Sequence, residues 1–150
     1  MEEYLIYTDG AYSRKNNEGA FAYVILDSHG VVIKCRAYKI ENETNNRAEL
    51  KAIIAGIYNL PNKESKVKAR IVSDSQYALN TLFGGWARNA NKDLFDVFER
   101  IKRERQLEFE WTWVKGHSGD YYNELCDKMC NEELGYDPSS EYKQFKKKNK

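Results

Sequence analysis

The spacing of apolar positions switches between strand and helix periods five times along this chain, and each switch marks a new element. In "YLIYTDGAY" (4–12) apolar residues run into an alternating stretch, which predicts a strand with Leu5, Tyr7, Asp9 and Ala11 on one face. "AFAYVILD" (20–27) and "VVIKCRAYKI" (31–40) predict two more strands, and the "DSHG" between them is a turn sequence. "TNNRAELKAIIAGIYNL" (44–60) switches to helical spacing, with Thr44 or Asn45 as cap and Pro61 beyond its end. "KVKARIVSD" predicts a strand, 75–82 a short helix broken by Gly84-Gly85, and "NKDLFDVFERIKRER" an amphipathic helix. "LEFEWTWV" predicts the last strand, with Leu107, Phe109, Trp111 and Trp113 on one face, and "YYNELCDKMCNEEL" the last helix. The order is βββαβααβα. Helices separate the later strands, so the expected fold is α/β: three antiparallel strands, then parallel ones, in a mixed five-stranded sheet flanked by helices.

Composition narrows the class. A chain of 150 residues with 41% hydrophobic content is expected to form one domain with a real core. It has no apolar run of membrane length, so no membrane partner is expected. Three cysteines, at 35, 126 and 130, make an odd set, which favours a reducing, cytoplasmic setting over a disulfide framework. The net charge of +1 selects no partner, but the last nine residues, "YKQFKKKNK", hold five lysines and no acid. Such a segment is a solvated end or an electrostatic handle for nucleic acid. The expected division is a domain over 1–136 and a Lys-rich tail over 137–150.

Four acids stand where the pattern does not call for them. Asp9 interrupts the apolar face of the first strand. Glu49 lies on the stripe of Ile53, Ile57 and Leu60, which faces inward. Asp74 ends a strand, where ligands collect in open α/β sheets, although a helix cap would account for it equally well. Asp127 sits within the last helix, where a surface role is the simpler reading. An unpaired carboxylate in an apolar setting costs several kcal/mol, roughly. Acids converging from four elements need a strong reason for negative charge, and hard divalent cations supply one.

At this point the sequence resembles a known family. "YTDGAY" (7–12), "TNNRAEL" (44–50), "SDSQYA" (73–78) and "WVKGHSGDYYNELCD" (113–127) are similar, in order, to the four signature blocks of type 1 ribonuclease H. The resemblance covers roughly residues 4–135. It implies an endonuclease that hydrolyses the RNA strand of RNA–DNA hybrids with two Mg²⁺ ions, Mn²⁺ substituting, and leaves 5′-phosphate and 3′-hydroxyl ends. Carried over by position, the metal-binding acids are Asp9, Glu49, Asp74 and Asp127, and the loop histidine of the catalytic set is His117. Asn45 and Gln76 would read the minor groove of the hybrid. Thr44 and Asn91 would belong to a pocket for a DNA-strand phosphate. Trp86 is the candidate to pack against DNA sugars, with a core position as its alternative. Two departures stand out. "SRKNNEGA" replaces the usual loop after the first strand, with Asn16 or Asn17 as substitutes. "FGGWARNANK" is too short for the long basic protrusion of some relatives, so this is a short form. The expected partner is the hybrid, and the expected state a monomer.

Overall fold

A computed structural model describes residues 1–116 and 120–135. It contains five strands and four helices in the expected order: β1 (Glu2–Ser13), β2 (Glu18–Leu26), β3 (Val32–Glu41), α1 (Asn45–Tyr58), β4 (Val67–Ser73), α2 (Gln76–Leu82), α3 (Lys92–Glu104), β5 (Leu107–Trp113) and α4 (Tyr121–Leu134). The strands lie in the order β3-β2-β1-β4-β5. β1–β2 and β2–β3 pair antiparallel, while β1–β4 and β4–β5 pair in parallel. The crossovers through α1 and through α2–α3 make the parallel pairs possible, since parallel strands cannot be joined by a tight turn.

Alternation along β1 feeds two cores, one on each side of the sheet. Tyr4 and Ile6 face one way, into a cluster with Ile53, Ile57, Leu60, Leu79 and Phe98 from α1, α2 and α3. Leu5 and Tyr7 face the other way, against Leu125, Cys126, Met129 and Cys130 of α4. The three cysteines are buried and pack as small core residues. The 27–30 turn closes on the Asp27 carboxylate, which accepts the amides of His29 and Val31, while Gly30 takes the left-handed conformation (φ 77°).

Register explains where the site lies. The β1–β4 ladder ends at the pair Tyr7–Val72. Two residues further along each strand stand Asp9 and Asp74, level with one another and past the last pair. β1 continues beside β2, whereas β4 ends at Ser73, so a notch opens between β1 and the chain leaving β4.

Candidate active site

Asp9, Glu49 and Asp74 meet at this notch. Each offers a carboxylate oxygen, and the three oxygens lie within 4.8 Å of one another. The local sequence builds the approach. Gly10 faces α1 so closely that a Cβ there would sit 2.5 Å from the Ala48 carbonyl carbon and 2.7 Å from the Glu49 amide nitrogen. Glycine therefore brings the helix backbone onto the strand and Glu49 beside Asp9. Thr44 caps α1 by accepting the Arg47 amide, and the Asn45 side chain accepts the Tyr12 amide at 2.6 Å, which ties the helix start to the end of β1. At α2 the cap is Ser75, whose hydroxyl accepts the Ala78 amide at 3.0 Å. The capping role that the sequence allowed for Asp74 is thus taken by its neighbour, and the Asp74 carboxylate is left to the cluster.

Electrostatics marks the cluster as unbalanced. Asp9 is only 7% exposed and accepts the amide of Gly10 at 3.0 Å. Burial, and then the charges of Asp74 and Asp127, push its pKa well above the usual carboxylate range. Glu49 is raised likewise, by burial first and then by Asp9 and Asp74. Glu49 Oε1 is buried and has no hydrogen-bond partner. No basic side chain forms an ion pair with Asp9, Glu49 or Asp74 among the described residues. Asp127 stands on α4, half-buried and near enough to Asp9 to raise its pKa through charge and a hydrogen bond, but outside the tight group of three. α4 is seated there by the Cys126 and Cys130 thiols, whose sulfurs lie 3.5 Å and 3.8 Å from the carbonyl oxygens of Tyr7 and Asp9.

The chain belongs to the ribonuclease H family. The RNase H family model matches residues 1–134. Ribonuclease H of Thermoanaerobacter sp. (strain X514) is 34% identical over 143 residues, 86% of this chain and 88% of that protein. Among solved structures, RNase H1 from the halophilic archaeon Halobacterium salinarum NRC-1 is 25% identical, with a TM-score of 0.70 over 89% of this chain and 98% of that one. The N-terminal RNase H domain of a Mycobacterium tuberculosis protein, solved as a fusion with maltose-binding protein, has a TM-score of 0.76 at 19% identity, over 90% and 95% of the two chains, and bears on the fold alone. The family makes this chain a nuclease and a hydrolase.

Other residues singled out in the sequence surround the notch unevenly. Gln76 opens α2 and is exposed. Asn91 precedes α3 in the left-handed conformation (φ 63°); its side chain accepts from Arg47 at 3.3 Å and donates to the Tyr77 hydroxyl at 2.9 Å. Trp86 is 50% exposed, so the core alternative is overturned: the Gly84-Gly85 break turns the chain outward before the indole can pack. Asn17 is held by its own contacts with Tyr12 and Asn42. His117 lies outside the described residues. Sequence reasoning missed Arg47, whose guanidinium grips Asp93 through two bonds of 2.8 Å and Glu43 through one of 2.5 Å, and so locks α1 to the start of α3. It also did not anticipate the close contacts of Gly10, Trp113 and Gly116, which form only across the fold. Gly10 in "TDGA" was visible only as a glycine inside a strand pattern, which is itself a signal of close backbone approach.

Proposed function

We propose that this ribonuclease H cuts the RNA strand of RNA–DNA hybrids with two divalent cations, Mg²⁺ or Mn²⁺, and leaves 5′-phosphate and 3′-hydroxyl ends. The observation that carries the reading is the group of three carboxylates within 4.8 Å, one of whose oxygens is buried without a partner. A buried, unpartnered carboxylate oxygen is costly in a protein alone and fits a hard cation, which takes oxygen donors. Asp9, Glu49 and Asp74 would hold the ions, with Asp127 beside Asp9 completing the set. When bound, such ions lower the pKa of water and neutralise charge at a phosphate.

The chain's own residues account for the remaining steps. The notch holds the scissile phosphate outside the end of β4. Asn45 and Gln76, both exposed at helix starts, read the minor groove, where a hybrid displays 2′-hydroxyls on one strand only. Thr44 and Asn91 belong to a subsite for a DNA-strand phosphate, and the exposed Trp86 packs on a sugar. His117 carries a proton to or from the reacting groups, since imidazole titrates near neutrality. The Lys-rich 137–150 segment adds salt-sensitive attraction for the substrate.

The test is Asp74→Asn. The amide is a poor ligand for Mg²⁺, so cleavage of a labelled hybrid is expected to fall by at least about 10²-fold while hybrid binding survives on phosphate contacts elsewhere. Duplex DNA serves as the control substrate. Wild-type turnover by the variant in Mg²⁺ would overturn the assignment.

A further inference from the structure

Asp74 is the acid whose backbone is least secured by its own element, because β4 has ended and α2 has not begun. Its position is set from β5 instead. The Trp113 indole N–H donates to the Asp74 carbonyl at 3.0 Å, although the ring is 45% exposed. The next amide, Val114, donates to the Ser73 carbonyl at 2.9 Å and carries the hydrogen bonding one residue past the end of β5. Two residues on, Gly116 packs against the carboxylate itself: a Cβ there would lie 3.0 Å from Asp74 Oδ2. Within four residues, one segment thus grips the residue before Asp74, its carbonyl and its side chain.

An exposed tryptophan on an edge strand contributes little to a core, and Trp113 follows Trp111, which is also exposed. What sets Trp113 apart is its donor, aimed at the backbone of an active-site acid. Gly116 carries no positive φ, so its lack of a side chain answers to space and not to backbone conformation. We infer that Trp113 and Gly116 are positioning residues: they hold Asp74 at the distance from Asp9 and Glu49 at which the three acids capture a divalent cation. The inference rests on the metal reading above and extends it to two side chains that touch neither cation nor substrate.

Trp113→Phe removes the donor and keeps a ring. Gly116→Ala adds one methyl group, and the Asp74 carboxylate must yield by a few tenths of an ångström. Calorimetric titration of the metal-free proteins with MnCl₂ reads the effect directly. Both variants are expected to bind Mn²⁺ more weakly, by about 3- to 10-fold, the scale of one net hydrogen bond. Hybrid cleavage should return to within about 2-fold of wild type at saturating Mn²⁺, since the lesion lies in capture. Melting temperatures of the metal-free variants should stay near the wild-type value. Wild-type Mn²⁺ affinity in both variants would overturn the positioning role. So would a large drop in metal-free melting temperature with unchanged affinity, which marks a purely structural contact. If the wild-type protein itself takes up no Mn²⁺, the metal reading fails, and this inference falls with it.

Discussion

Asp9 sits where a strand should present an apolar side chain, and its nearest donor is the amide of the next residue. A structural acid in such a place is held by an arginine or by several amides; here two further acids face it instead. That mismatch was legible in the sequence because Asp9 breaks an alternation, and Glu49 because it shares a stripe with Ile53 and Ile57. Asp74 was ambiguous, and its helix-cap alternative falls only because Ser75 takes the cap. Gly116 was not legible, since its neighbour is 42 residues away in the chain and the contact exists only once β5 lies beside β4. The residue-level prediction is that Asp9→Asn stabilises the metal-free protein or leaves it unchanged, while abolishing cleavage. Two unit charges about 5 Å apart repel by roughly 3 kcal/mol at an effective dielectric near 20, and the raised pKa already relieves part of this. A structural Asp held by buried donors predicts the reverse, a loss of about 1–3 kcal/mol. Thermal melts without metal decide, and a clearly destabilised variant would show that Asp9 is a strut.

At the scale of elements, the order βββαβααβα was readable because the period of the pattern changes from two to three or four and back, with turn residues at the joins. Sheet register was not readable. Nothing local says that Asp9 stands level with Asp74; this follows from the Glu2–Val67 to Tyr7–Val72 pairing and from the end of β4 at Ser73. The closeness of α1 to β1 was half-legible: a glycine inside a strand pattern signals close backbone approach, but nothing local to Gly10 says that α1 is what approaches. Gly10→Ala tests that contact. With the ideal Cβ 2.5 Å from the Ala48 carbonyl carbon, backbone must move against backbone. Overpacking of this kind costs about 1–3 kcal/mol. α1 should shift away from β1 and take Glu49 with it. The expected result is a lower melting temperature together with a higher Mg²⁺ requirement for cleavage. A variant that melts and titrates like wild type would mean that the helix–strand spacing does not set the acid cluster.

For the whole molecule, two groups of acids answer pH with opposite signs. Asp93 is exposed and bonded to Arg47, which lowers its pKa to about 2. A lowered carboxylate contributes stability that is present above its unfolded pKa, near 3.9, and is lost as pH falls through the folded value. Asp9 and Glu49 are raised, by burial first and by their acidic neighbours second. In the metal-free protein they still bind protons at pH values where the unfolded chain has released them. The folded state then holds the extra protons, so stability falls as pH rises from about 4 through the folded pKa values. The metal-free protein should therefore be most stable in mild acid, losing stability below through Asp93 and above through the cluster. Divalent cations compete with those protons and need the carboxylates ionised, so their effect has the opposite pH dependence. The melting temperature without metal is expected to be higher at about pH 5 than at about pH 8, and the increase on adding Mg²⁺ larger at about pH 8. Calorimetric scans at both pH values, with Mg²⁺ and with EDTA, check both halves. A metal-free protein that gains stability from about pH 5 to about pH 8 and ignores Mg²⁺ at both would mean that the acids are held by the fold itself and not by a cation.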